Sequence, residues 1–350
     1  MEAGIALGRI EGVCGGLTVL TKFAVLGDGA WGTAVALLLA QRPEHQVRIW
    51  SAREENGRIL REKRENVRLL PGVAIPQSIQ LTTDIDTALS GIELAIAAIP
   101  TIYLRETISR FAGRIPTDLA VLSLAKGMEL KKFQRPTQIL HEVLGSTRLA
   151  VLSGPSHAEE VSRGKPTSVV VASNDDDLAH VVQKALNSDR FRVYVNPDTV
   201  GVELAGALKN VIGIAAGICD GLGFGDNAKS ALLTRALVEM TRFGVALGAD
   251  PATFSGLAGL GDLITTCVSP HGRNRRVGER LGKGEKLADI LARMVQVAEG
   301  IYTAKSVHLR SEAMGIELPI TSEVYRVLHE NKSPLAAVQD LMLRQPKKEW

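Results

Sequence analysis

Asp262 lies in Gly259-Leu260-Gly261-Asp262-Leu263-Ile264-Thr265-Thr266-Cys267, an apolar segment flanked by glycines. A bare carboxylate in such surroundings is costly unless a cation meets it. Shortly afterwards Arg273-Asn274-Arg275-Arg276 concentrates positive charge, which suits charge-assisted hydrogen bonds to a phosphate. Together the two features call for a buried lysine and an anionic ligand.

Two lysines meet the first demand. In Glu203-Leu204-Ala205-Gly206-Ala207-Leu208-Lys209-Asn210-Val211-Ile212-Gly213, Lys209 and Asn210 interrupt a helical stretch of small and apolar residues. A buried lysine is rare unless paired or functional. Desolvation and a second cation lower its pKa, and a carboxylate opposes them; that balance gives a proton donor or acceptor near neutral pH. In Ser123-Leu124-Ala125-Lys126-Gly127, Lys126 ends a run that reads as a strand, the place where open α/β sheets put their ligands. Ser153-Gly154-Pro155-Ser156-His157-Ala158 follows another strand-like run and reads as a substrate loop. Lys209 accounts for the proton chemistry with fewer assumptions than His157. The histidines show no paired metal-ligand spacing, so no metal is expected.

Gly27, Gly29 and Gly32 form G-x-G-x-x-G between a β-forming run and a helical one. The first permits a tight turn, the second lets a pyrophosphate approach the backbone, and the third allows close helix–strand packing. The helix N-terminus then offers N–H groups and a positive dipole end. Asp28 adds a negative charge beside that phosphate position. After the second strand comes Trp50-Ser51-Ala52-Arg53-Glu54-Glu55, where Arg53 precedes both acids. An arginine there tolerates a 2′-phosphate, which favours NADP or dual use of NAD and NADP.

The elements that must hold these residues follow from the pattern. Strands are expected at Lys22–Leu26, Gln46–Trp50, Leu94–Ile99, Ala120–Leu124, Ala150–Leu152, Ser168–Ala172 and Phe191–Val195, alternating with helices such as Thr33–Gln41. That alternation predicts a mostly parallel sheet with helices on both faces. After Pro197 the chain reads as successive helices, for example Glu203–Ile218, Ala228–Leu247, Lys286–Met294, Tyr302–Met314 and Ile320–His329. We therefore expect a glycine-rich extension over 1–21, a dinucleotide-binding domain over 22–197 and a helical substrate domain over 198–350. With 350 residues and 45% hydrophobic content, the chain is long enough for two domains. A net charge of +3 gives no reason to expect nucleic acid and suits a small anionic substrate. Cys14, Cys219 and Cys267 form no C-x-x-C pair, which points to a reducing compartment. No uninterrupted apolar run reaches the length of a membrane span, and the first residues lack a basic signal-peptide region. A cytoplasmic protein without membrane insertion is expected.

From about Lys22 to about Leu341 the chain resembles the NAD(P)-dependent glycerol-3-phosphate dehydrogenases of the bacterial type. The marks are G-D-G-A-W-G at Gly27–Gly32, L-P-G at Leu70–Gly72, A-K-G-M-E at Ala125–Glu129 and S-G-P-S at Ser153–Ser156. They continue with A-L-K-N at Ala207–Asn210, G-D-L-I-T-T-C at Gly261–Cys267, G-R-N-R at Gly272–Arg275 and A-E-G at Ala298–Gly300. The resemblance implies a Rossmann-type N-terminal domain and an all-α, 6-phosphogluconate-dehydrogenase-like C-terminal domain with the active site between them. It implies reversible reduction of dihydroxyacetone phosphate to sn-glycerol 3-phosphate for phospholipid synthesis, and a homodimer. Lys209 matches the catalytic lysine. Lys126, Gly154, Ser156, Asn210, Asp262, Thr266, Gly272, Arg273 and Asn274 match substrate positions. Gly27, Gly29, Ala30, Trp31, Gly32, Arg53, Lys126, Ala158, Arg273, Val297 and Glu299 match cofactor positions. The chain departs from the pattern in three places. Gly272 stands where bacterial members carry serine, Asp28 replaces a small residue, and Ala52 replaces a basic one, leaving Arg53 as the only nearby cation expected. Two other readings stay open: a related hydroxy acid dehydrogenase, and a non-catalytic NAD(P)-sensing module.

Overall fold

The computed structural model describes residues 19–145, 148–346 and 348–349. The inner strands of the first part, such as Leu94–Ala97 and Ala120–Ser123, are buried along their whole length, the form of a sheet covered on both sides. β1 (Lys22–Leu26) leads into α1 (Ala30–Leu39), β2 (Gln46–Trp50) and α2 (Glu54–Lys63). A small antiparallel pair follows, β3 (Glu65–Asn66) and β4 (Leu70–Ala74), and then β5 (Ile79–Thr82), α3 (Ile85–Leu89) and β6 (Leu94–Ala97). The rest is α4 (Thr101–Ser109), β7 (Ala120–Ser123), α5 (Pro136–Leu144), β8 (Leu149–Ser153), α6 (Ala158–Val161), β9 (Thr167–Ser173), α7 (Asp176–Leu186) and β10 (Phe191–Asn196).

Eight strands form one sheet in the order β10-β9-β8-β7-β6-β1-β2-β5. All neighbours are parallel except β8 and β9. Side chains alternate between two cores, as a two-residue period requires. Phe23, Val25, Val47 and Ile49 enter one; Ala24, Leu26 and Trp50 enter the other with Phe111. β1 leaves to β2 on one side and meets β6 on the other, so a crevice opens beyond their carboxyl ends. β5 and the β3–β4 pair are not among the strands expected from the sequence. Leu20 is buried and Thr21 donates its backbone N–H to Glu93 at 2.6 Å, so the end of the expected extension is part of the sheet domain. Residues 1–18 of it lie outside the described residues.

Helices make up the second part: α8 (Thr199–Gly221), α9 (Asp226–Ala246), α10 (Pro251–Ser255), a π-helical turn (Leu257–Gly261), α11 (Asp262–Val268) and α12 (Arg273–Gly282). Then come α13 (Leu287–Ala292), α14 (Glu299–Met314), α15 (Pro319–His329) and α16 (Pro334–Met342). Asp198 caps α8, its carboxylate accepting from the Gly201 N–H at 2.8 Å. Contrary to expectation, α8 is long and apolar enough to cross a membrane; Glu203 and Lys209 divide its apolar run when it is read residue by residue. Its apolar window is wholly buried inside the protein. α12 packs on it at backbone contact. A Cβ at Gly217 would stand 1.9 Å from the Arg275 carbonyl oxygen, and one at Gly278 1.9 Å from that of Ile214.

Candidate active site

A cleft of about 780 Å³ runs between the sheet's carboxyl edge and the helical part. At its sheet side Gly27 takes φ +124°, and a Cβ there would lie 2.6 Å from the Ala98 carbonyl oxygen. A Cβ on Gly32 would lie 2.5 Å from the Gly27 carbonyl oxygen, whereas one on Gly29 would meet nothing within 4 Å. Two glycines thus serve packing and the middle one leaves room for a ligand. α1 has no side-chain cap, so its N-terminus is free to meet phosphate. Ala30 and Trp31 line the same wall, and the Trp31 indole N–H is buried without a partner. These features fit a dinucleotide.

At the far end Arg53 lines the cleft, and Glu54 is turned to Arg61 at 2.5 Å and to Thr83. The expectation that Arg53 is the only nearby cation is wrong. Arg68 and Arg110 line the same cleft. Arg110 lies 4.7 Å over the Trp50 ring and donates to the Ala52 carbonyl at 3.1 Å. Both arginines come from other elements, which distance along the chain conceals.

The chemical centre is a lysine–aspartate–lysine arrangement. Lys126, just past β7, meets one oxygen of Asp262 at 2.7 Å; Lys209, in the middle of α8, meets the other at 3.0 Å. Lys209 also donates to the Thr266 hydroxyl at 2.7 Å, and Lys126 to the Gly154 carbonyl at 2.9 Å. Burial and the Lys126 charge push Lys209 down and Asp262 holds it up, leaving it at about 8. Burial pushes the Asp262 carboxyl up, but the two ammonium groups outweigh it and hold it below its ordinary value. The π turn sets Asp262 at the start of α11. A Cβ on Gly259 would stand 2.0 Å from the Phe254 carbonyl oxygen, so glycine is needed for that tight backbone. π turns recur at functional sites.

Around this centre, Ser156, Ala158, Thr266, Gly272, Arg273, Val297 and Glu299 line the cleft. Gly154 stands behind its wall, acting through the carbonyl that holds Lys126. Asn210 and Asn274 also line the cleft, yet both are engaged internally. Asn210 donates to the Lys126 carbonyl at 2.8 Å and accepts from Asn274 at 2.9 Å; Asn274 accepts from the Gly300 N–H at 3.0 Å. Glu299 accepts from the Thr101 N–H at 2.6 Å, tying the first turn of α14 to that of α4. Among the described residues, no three histidine, cysteine, aspartate or glutamate side chains are grouped to hold a metal.

Comparison with known proteins decides the family. Residues 22–179 match the model for the NAD-dependent glycerol-3-phosphate dehydrogenase N-terminus, and 198–339 that for its C-terminus. The chain belongs to the NAD-dependent glycerol-3-phosphate dehydrogenase family. It is 49% identical to the glycerol-3-phosphate dehydrogenase (NAD(P)+) of Chlorobium phaeobacteroides over 331 residues, 94% of this chain and 99% of the relative. The corresponding protein of Geobacillus thermodenitrificans is 46% identical over 94% of this chain and 97% of its own. The crystal structure of glycerol-3-phosphate dehydrogenase from Coxiella burnetii superposes with a TM-score of 0.90 at 38% identity, covering 93% and 99% of the two chains.

For a glycerol-3-phosphate dehydrogenase, two features of this cleft were not anticipated from the sequence. His157 and His271 line it, their rings 5.8 Å apart and tilted. Gly272 caps α12 without a side-chain bond, and a Cβ there would come within 2.9 Å of the Thr266 carbonyl oxygen. A serine at this position would have to displace the chain around Thr266. Its absence relieves crowding as well as removing a hydroxyl donor.

Proposed function

We propose that the chain catalyses reversible reduction of dihydroxyacetone phosphate to sn-glycerol 3-phosphate with NADPH or NADH, supplying glycerophospholipid synthesis in the cytoplasm. The observation that carries this reading is Lys209, buried between Asp262 and Thr266 with a pKa near 8. On this reading 22–197 is the dinucleotide-binding domain and 198–350 the substrate domain, and the enzyme works as a homodimer. The reduced nicotinamide supplies the hydride. Lys209 gives its proton to the developing alkoxide, which needs a proton or a cation as negative charge gathers on oxygen. In the reverse direction the free amine takes the proton from the alcohol. Lys126 adds a second positive charge at the same oxygen, and Asp262 fixes both ammonium groups. Arg273 and the open N-terminus of α12 hold the phosphate, so binding remote from the reacting carbon orients the carbonyl. Gly27–Gly32 and the N-terminus of α1 hold the pyrophosphate. Because Glu54 is paired elsewhere while Arg110 joins Arg53 beside the end of β2, NADP is the better-matched cofactor. Steady-state kinetics with dihydroxyacetone phosphate and each reduced cofactor test the reading. Preferential turnover of 2-keto acids would replace it with the hydroxy acid dehydrogenase alternative, and cofactor binding without any turnover would favour the sensor.

A further inference from the structure

His157 follows the β8 loop and sits just before α6, in the wall of the cleft. Its Nε2 is buried and has no hydrogen-bond partner. Buried polar atoms are nearly always satisfied, so an orphan in the wall of a ligand cleft marks a contact that a small shift on ligand binding can complete. The side chain makes no capping bond to α6, so it has no visible local task there. The groups that act on it electrostatically are Lys209, Glu159, Asp262 and Lys126. On its other side stands the His271 ring at 5.8 Å, one residue before the open N-terminus of α12. The ring is therefore within electrostatic reach of the proton-handling lysine and beside the residue that precedes the α12 terminus. Burial first, then the Lys209 charge, hold it below the ordinary histidine value, so near neutral pH it is an uncharged imidazole with one N–H to give.

We propose that His157 is a substrate-binding residue whose Nε2–H donates to a phosphate oxygen of the triose phosphate, opposite Arg273 and the N-terminus of α12. This rests on the reaction proposed above and adds a ligand to it. Phosphate oxygens are strong acceptors, and a neutral donor at this place adds orientation without a further positive charge beside Lys209. Such a contact acts on binding of the phosphorylated substrate and leaves proton transfer alone.

The test compares wild type, H157L and H157Q with dihydroxyacetone phosphate and with phosphate-free dihydroxyacetone. Loss of a hydrogen bond to a charged group corresponds to a rise in KM for dihydroxyacetone phosphate of about ten- to a hundredfold in H157L. Its kcat, its kcat/KM for dihydroxyacetone and its Kd for NADPH should stay close to wild type. H157Q, which keeps an N–H at similar reach, should recover most of the loss. An unchanged KM in H157L overturns the proposal, as does a loss of the same size with dihydroxyacetone. A fall in kcat at constant KM also overturns it, because it would put His157 in the proton path. Wild-type inactivity on dihydroxyacetone phosphate would remove the parent reading as well; an active wild type with an indifferent H157L removes only this one.

Discussion

Lys209 and Asp262 pull each other's proton affinities in opposite directions, and in the proposed reaction proton transfer depends on where that balance settles. Lys209 is depressed to about 8, so its ammonium form is complete below that pH and is lost above it. Ketone reduction needs the ammonium form. We expect kcat/KM for dihydroxyacetone phosphate to fall as pH rises through about 8, while kcat/KM for glycerol 3-phosphate rises over the same interval. Initial rates in both directions across that range check this, and parallel profiles would rule out Lys209 as the shared acid and base. Replacing Asp262 by Asn sharpens the point. Two ammonium groups would then face each other beneath the surface, lowering the Lys209 pKa further and moving the reduction limb to lower pH. Breaking a buried ion pair from one side costs about 3–5 kcal/mol, so urea denaturation of D262N at neutral pH should show a loss of that order. The deficit should shrink at higher pH, where Lys209 gives up its proton. A D262N protein as stable as wild type would mean that the pair is solvated. The charged residues of this centre were legible in the sequence because each interrupts an apolar run. The internal task of the asparagines was not legible: Asn210 and Asn274 line the cleft as expected, and they also link Lys126 to Gly300.

α8 and α12 set the distance between the proton-handling lysine and the phosphate end. Gly213, Gly217 and Gly221 lie one turn apart on α8, and Gly278 and Gly282 face them from α12. α8 is legible through its apolar content, though longer at both ends than the pattern suggests; α10, α11, α12 and α16 are not among the example helices read from the pattern. Glycine in a helix interior is destabilising by about 0.5–1 kcal/mol relative to alanine. Propensity alone therefore predicts that G217A stabilises the protein. Packing predicts the reverse, since the added Cβ would stand 1.9 Å from the Arg275 carbonyl and 2.7 Å from the Glu279 nitrogen. Overpacking a close contact costs about 1–3 kcal/mol, so G217A should lower stability, with the melting temperature falling. Because α12 carries Arg273, its displacement should also raise KM for dihydroxyacetone phosphate. A stabilised G217A would show that the helices part without cost.

Over the whole molecule, function follows from charge placed in order along one cleft. On the proposed reading Lys126, Asp262 and Lys209 form the chemical end, the α12 terminus with Arg273 the phosphate end, and Arg53 with Arg110 the adenosine end. The sheet half was legible because its strand–turn–helix unit is local: G-x-G-x-x-G needs only neighbours in sequence to be read. The adenosine end was half legible, because Arg53 belongs to that unit whereas Arg110 reaches it from the end of α4, folded over Trp50. The antiparallel entry of β9 was not legible at all, since neither the apolar run of β8 nor that of β9 carries a direction and only pairing sets it. The arginines give a prediction that belongs to the assembled cleft. A 2′-phosphate between Arg53 and Arg110 would lose a charge-assisted partner with each substitution, and one such bond is worth about 1.5–3 kcal/mol. R53A and R110A should each lower kcat/KM for NADPH by about tenfold or more and change that for NADH by only a few fold. The double variant should lose the preference for NADPH. Arg110 must act through the cofactor and not through Trp50, so R110K, which keeps the charge, should retain more of the preference than R110A. If the NADPH-to-NADH ratio stays at the wild-type value in all four variants, the arginines serve the sheet edge and the cofactor is chosen elsewhere.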